Sequence, residues 1–159
     1  MPVYVTDTHP LVWYASRTHR RLSHHVLQTF EAAWRGEMLI YVPVFVLWEI
    51  AMLLKVRRLR LREPYDEWAT RLVTHRGFAL AAVDIAMLTT AYMYAFPDPF
   101  DSVIAATAHV LDVPLITNDT AIHAAQVVDV YWSSEVRERK AQINVNGVRS
   151  ITRGSNEFV

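Results

Sequence analysis

Short apolar runs alternate with longer stretches of helical spacing along most of the chain. Val3-Tyr4-Val5-Thr6 is β-branched and aromatic and predicts a strand. It ends at Asp7-Thr8-His9-Pro10, where proline suits a first helical turn. Asp7 stands slightly early to cap that helix, and Thr8 or His9 fits the cap better. A helix is predicted from Ser23 to Trp34, stopped by Gly36, and a second strand from Met38 to Val42. Val44 to Val56 reads as a strongly apolar helix and Pro64 to His75 as an amphipathic one. Phe78 to Val83 is a third strand and Asp84 to Tyr94 another helix. Asp98-Pro99 opens a helix running to about Leu111, with Asp98 as its cap. Pro114 to Thr117 is a strand, Thr120 to Ala125 a short helix, and Val127 to Trp132 a last strand.

Strands alternating with helices predict an α/β fold with a mainly parallel central sheet covered on both faces. The strands are continuous apolar runs, as burial on both faces requires. The length of 159 residues suits one domain, read as residues 1–134. From Glu135 the composition turns polar, leaving 135–159 as a C-terminal extension. Asn146-Gly147 between short β-type runs makes that extension either a hairpin or a disordered tail.

Composition narrows the chemistry. There are no cysteines, which removes disulfides and thiolate ligands and suits a reducing cytoplasm. Neither a signal peptide nor a run long enough to span a membrane is evident, so a soluble cytoplasmic protein is expected. Sixteen Lys and Arg balance sixteen Asp and Glu, but the charges are segregated. Residues 77–134 hold six acids and no Lys or Arg, whereas 55–76 hold seven cations and three acids. Such an acidic stretch calls for a metal ion or a basic partner. The basic block of Lys55, Arg57, Arg58, Arg60 and Arg62 is either a solvated face or a phosphate-backbone contact.

Four carboxylates stand out against this background. Asp7 and Asp119 each follow a predicted strand, the place where open α/β sheets bind ligands. Asp119 could equally cap the helix after it. Glu49 is the only ionisable group between Val42 and Leu54, within a helix that looks apolar all round and therefore buried. A buried carboxylate needs either an arginine partner or a cation. Asp101 either complements the dipole of its helix or joins the same crevice as Asp7. Gathered together, such acids would repel one another and raise at least one pKa unless a cation intervened. Oxygen donors alone select a hard ion such as Mg²⁺ or Mn²⁺. One or two such ions support in-line phosphoryl displacement without a nucleophilic side chain. No Gly-x-Ser-x-Gly turn and no P-loop competes with that reading. The histidines show no ligand-like pairing, although His9 lies beside Asp7 and could shape the site.

These residues carry a family resemblance. Val5-Thr6-Asp7-Thr8-His9-Pro10-Leu11-Val12-Trp13, Trp48-Glu49-Ile50, Asp98-Pro99-Phe100-Asp101 and Leu115-Ile116-Thr117-Asn118-Asp119 resemble PIN domains. More narrowly, they are similar to the VapC-like ribonuclease toxins of toxin–antitoxin pairs, over about residues 3 to 132. The resemblance implies a PIN-like α/β/α sandwich and metal-dependent hydrolysis of RNA phosphodiester bonds. It carries the acidic roles onto Asp7, Glu49, Asp101 and Asp119, with Asp7 and Asp101 foremost as direct metal ligands. It implies a homodimer and a cognate antitoxin that presents a basic segment to the acidic pocket. Val46 stands where the family often has serine, Arg57-Arg58 where it often has Gly-Arg, and Ser102 where it often has arginine. These departures bear on substrate positioning and antitoxin fit, since every carboxylate is kept. The extension beyond Trp132 is also longer than usual. The alternatives are a non-catalytic PIN-like module that binds RNA or a partner, and a phosphotransfer domain on another α/β fold. The latter wants a paired acid or a lysine near the first strand, and this chain offers neither there.

Overall fold

A computed structural model describes residues 1–133 and the strand residues 136–137. Strand β1 (Val3–Thr6) leads into helix α1 (Thr8–Ala15), then a 3-10 turn at His19–Arg21 and α2 (His24–Trp34). Strand β2 (Leu39–Pro43), α3 (Val44–Lys55), α4 (Tyr65–Thr74) and β3 (Phe78–Ala81) follow. The remainder is α5 (Ile85–Tyr92), α6 (Pro99–Leu111), β4 (Leu115–Ile116), α7 (Thr120–Ala125), β5 (Val130–Tyr131) and β6 (Val136–Arg137). The strands form one sheet in the order β3-β2-β1-β4-β5-β6. The first five are parallel, and β6 pairs antiparallel with β5 at the edge. Helices cover this sheet as an α/β/α sandwich, the fold class expected from the alternating pattern.

The centre of the sheet is the driest part of the molecule. Val5, Ile40, Val42, Leu115 and Ile116 are fully buried, packed with Phe30, Ile50 and Ile104 from the helices. Burying side chains of this size contributes roughly 1.5–3 kcal/mol each. Chain direction in the sheet fixes where function can sit. From β1 the chain steps outward through β2 and β3, then returns to build β4 and β5 on the other flank of β1. The β1/β4 boundary is therefore the switch point of the sheet, where the loops diverge and leave a crevice at the carboxyl edge.

Three expectations change. Asp7 does cap α1: the helix starts two residues before the proline, and the Asp7 carboxylate accepts a 2.7 Å bond from the Thr8 amide. Pro10 sits third in the helix, still within the first turn where an N–H has no helical partner. Helix α3 is not buried all round, because Val44 and Trp48 are 38% and 52% exposed. The last parallel strand is shorter than Val127–Trp132. Gln126 takes a left-handed conformation that ends α7, and Val128 reaches the core from a bend rather than a ladder. The extension read at 135–159, with its turn at Asn146-Gly147, lies outside the described residues apart from β6. No helix among the described residues is long and apolar enough to cross a membrane.

Candidate active site

Each predicted acid is delivered by a separate element. Asp7 follows β1 and caps α1, while Asp119 follows β4 and caps α7 by accepting a 2.9 Å bond from the Ile122 amide. Glu49 sits midway along α3, half-buried, and Asp101 lies in the first turn of α6, also half-buried. Asp98 caps α6 through the Phe100 amide at 2.8 Å, as the sequence indicated, and remains exposed.

Two threonines tie these acids together. The Thr117 hydroxyl donates to Asp7 at 2.6 Å and accepts from the Asp119 amide at 3.0 Å, so it fixes the β4 loop against the end of β1. The Thr8 hydroxyl donates to Glu49 at 2.5 Å, which locks α1 to α3. Asp7, Thr8 and Thr117 are all buried. No ion pair engages Glu49 among the described residues, so the arginine partner considered for it is replaced by the Thr8 hydroxyl. In the sequence Thr8 stands out only as a candidate helix cap and Thr117 only as the end of a strand. The only signal was their position beside Asp7 and two residues before Asp119.

The electrostatics record the crowding. Burial pushes the Asp7 carboxyl above its ordinary range; the Thr117 hydroxyl, the Thr8 amide and the charge of His9 oppose this, and Asp119 adds to it. Glu49 is also raised, by burial first, with Thr8 opposing and the Asp7 charge reinforcing. Asp101 is pushed up to about 7, by burial and then by the negative charges of Asp7, Asp98, Asp119 and Glu49. Asp101 accepts no hydrogen bond among the described residues, so nothing offsets that repulsion. All four predicted acids thus share one electrostatic neighbourhood at the carboxyl edge of the sheet. Among the described residues, no three His, Asp or Glu side chains converge on one point closely enough to ligate an ion as they stand. Bare carboxylates repel, and Glu49 is held by Thr8 rather than drawn towards Asp101. The donor set is nonetheless all oxygen and strongly anionic, the chemistry of a hard divalent cation site.

Comparison with known proteins agrees with this architecture. A family model described as "PIN domain" matches residues 4–128, which spans all four acids. No curated protein matches the sequence. Among solved structures, the chain is similar to one titled "Crystal structure of VapBC2 from Rickettsia felis bound to a DNA fragment from their promoter". That likeness has a TM-score of 0.60 at 13% identity, covering 82% of this chain and 99% of the other. At this identity the likeness speaks for the fold.

Proposed function

The chain belongs to the PIN-domain family, and from that premise we propose that it is a metal-dependent ribonuclease, the VapC-like toxin of a toxin–antitoxin pair, acting in the cytoplasm. The observation that carries this reading is the state of Asp101, whose carboxyl is raised to about 7 by burial and by Asp7, Asp98, Asp119 and Glu49. Helix capping accounts for Asp7 and Asp119 but for neither Glu49 nor Asp101; a divalent cation would offset the repulsion and draw an RNA phosphate to the site.

In this reading Asp7 and Asp101 would hold a Mg²⁺ or Mn²⁺ ion directly, with Glu49 and Asp119 completing the acidic shell. Bound there, such an ion supplies a water of lowered pKa and stabilises charge on an RNA phosphodiester. The chain's own residues do the rest. Thr117 keeps the Asp7 carboxylate turned towards the β4 loop, and Thr8 keeps Glu49 on the α1 side of the crevice. Holding ligands by donors on rigid elements limits the reorganisation needed when the site fills. Asp101, the acid with no donor among the described residues, is the one left to answer an incoming cation.

The partners follow from charge and exposed apolar area. An antitoxin presenting a basic segment would find its counter-charge in the acidic pocket. A second copy of the chain would cover the apolar stripe of Ile85, Leu88 and Tyr92 on α5, which are 76%, 44% and 79% exposed. Spacing of three and four residues puts these on one helix face, and a face of that kind is normally an interface.

The test is cleavage. Purified chain and its Asp7→Asn variant are incubated with total RNA, with Mg²⁺, with Mn²⁺, and with a chelator. Discrete, metal-dependent cuts by the parent alone are expected. Equal cutting by both proteins would refute the assignment of Asp7, and no cutting by either would leave a non-catalytic binding module as the better reading.

A further inference from the structure

A row of aromatic rings leads away from the carboxylates, and the ribonuclease reading does not use it. His9 lies one residue inside α1 and is exposed, two positions beyond Asp7. Trp13 follows one turn later on the same helix face, with ring centroids 5.8 Å apart. Trp132 stands just past β5, at the carboxyl edge that also carries Asp7 and Asp119, and meets Trp13 edge-on at 6.2 Å. The Ser23 hydroxyl donates to the Trp132 carbonyl and so anchors this end of the row. Arg21 is exposed and places its guanidinium 5.8 Å from the centre of the Trp13 ring. It makes no ion pair among the described residues.

We propose that His9, Trp13 and Trp132, with Arg21 above Trp13, form a seat on which unpaired RNA bases next to the reacting phosphate stack. The proposal rests on the ribonuclease reading and adds how the substrate is held.

Physical need and geometry meet here. Four carboxylates repel a polyanion wherever no cation bridges them to a phosphate, so contacts that need no charge add affinity along the rest of the strand. Stacking on aromatic faces is such a contact, and it tolerates any base. Neighbouring rings here are tilted by 45° and 70° and already in contact, so no base fits between them. Bases therefore lie on the outer side of the row, beginning at exposed His9, rather than between its rings. Arg21 then supplies a cation for a neighbouring phosphate or caps a stacked base. His9 is close enough to the acids for its charge to favour the ionised forms of Asp7 and Glu49, so the row begins at the pocket wall. Trp13 and Trp132 also pack partly against the core. Core packing alone gives no reason for the row to continue to a solvent-exposed histidine and an exposed arginine that makes no ion pair among the described residues.

The experiment measures binding by the full chain carrying Asp7→Asn, in Mg²⁺, using fluorescence anisotropy. Two labelled probes are compared: single-stranded hexauridylate, and a ribose-phosphate hexamer of equal charge without bases. The parent is expected to prefer the base-bearing probe by at least about tenfold. Trp13→Ala should weaken hexauridylate binding by about tenfold and leave the abasic probe unchanged. Trp13→Phe should restore most of the affinity. His9→Ala alters only an exposed ring and should cost about threefold on hexauridylate alone. It decides the matter even if Trp13→Ala fails to fold. Equal binding of both probes by the parent, or equal losses on both probes in the variants, would overturn the proposal. A chain that cuts no RNA yet keeps the base preference and its dependence on Trp13 removes the ribonuclease reading and leaves the seat standing.

Discussion

At the start of α1 the capping aspartate is also the buried acid, whereas at the start of α6 these two jobs fall to different residues. Asp7 is only 5% exposed, bonds the Thr8 amide and the Thr117 hydroxyl, and feels the charge of Asp119. Asp98 caps α6 from the surface, and Asp101, three residues on, is the member pressed against the other acids. Helix α7 repeats the α1 arrangement, with Asp119 both capping and charging the crevice. In sequence Asp98 and Asp119 read alike, as an aspartate before a helix, and Asp7 stands a little too far ahead of its proline to join them. Capping and site membership are therefore not rival explanations. A cap has one carboxylate oxygen to give the helix and another left for the crevice, and burial decides whether the second is used.

The largest effect should come from separating the two jobs at Asp119. Serine keeps a capping oxygen but carries no charge, while alanine has neither. Asp119→Ser should hold the melting temperature near the parent's yet lower RNA cleavage by at least about a hundredfold. Asp119→Ala should lose the same activity and about 1 kcal/mol of stability as well. Both are read by thermal melts alongside single-turnover cleavage. Near-parental cleavage by the serine variant would break the comparison, since Asp119 would then be a cap and nothing more.

Next in size is the dependence of stability on pH. The Asp101 carboxyl titrates near 4 when unfolded and about 7 when folded, so between those values the folded chain binds more protons than the unfolded one. Stability then falls as pH rises through that window, because the folded state must give up a proton it holds more tightly. Solvent screening at a half-exposed carboxyl reduces the effect to about 2 kcal/mol, on the order of 5 °C. Metal-free melts from pH 4 to 8 should show this decline, and Asp101→Asn should flatten it. Mg²⁺ or Mn²⁺ should raise the melting point more at pH 8 than at pH 5. A decline that survives Asp101→Asn unchanged would place the strain elsewhere in the cluster.

Much of this was legible in the sequence, for identifiable reasons. β1 and β2 stood out because strands buried on both faces must be apolar throughout, and Val5, Ile40 and Val42 are indeed fully buried. Asp98 was recognised as a cap because proline at the next position fixes the helix start. The family was legible because four short motifs occur in order, and the matching model spans them. Less legible was anything set by contacts across the fold. Thr117 and Asp7 are 110 residues apart, so no local pattern joins them. The α3 surface is not legible, because composition cannot distinguish a core helix from one whose apolar face meets solvent at Trp48. Asp7 looks too early for a cap in the sequence because proline favours the first helical position, whereas Pro10 occupies the third.

The smallest expected effect is at Asp98, and it tests the comparison from the other side. If an exposed cap serves only its helix, Asp98→Ala removes one hydrogen bond to the Phe100 amide and little else. That should cost about 1 kcal/mol, or roughly 2–4 °C in melting temperature. Cleavage at neutral pH should stay within about threefold of the parent, since the change in barrier is under 1 kcal/mol. One further consequence has a definite sign. Asp98 is among the charges that raise Asp101, so its removal should let Asp101 ionise at a somewhat lower pH. The acid limb of the pH–rate profile should then move down, while the alkaline side stays in place. A collapse of activity in Asp98→Ala with the fold intact would make Asp98 a fifth acid of the site, and the division of labour at α6 would be lost.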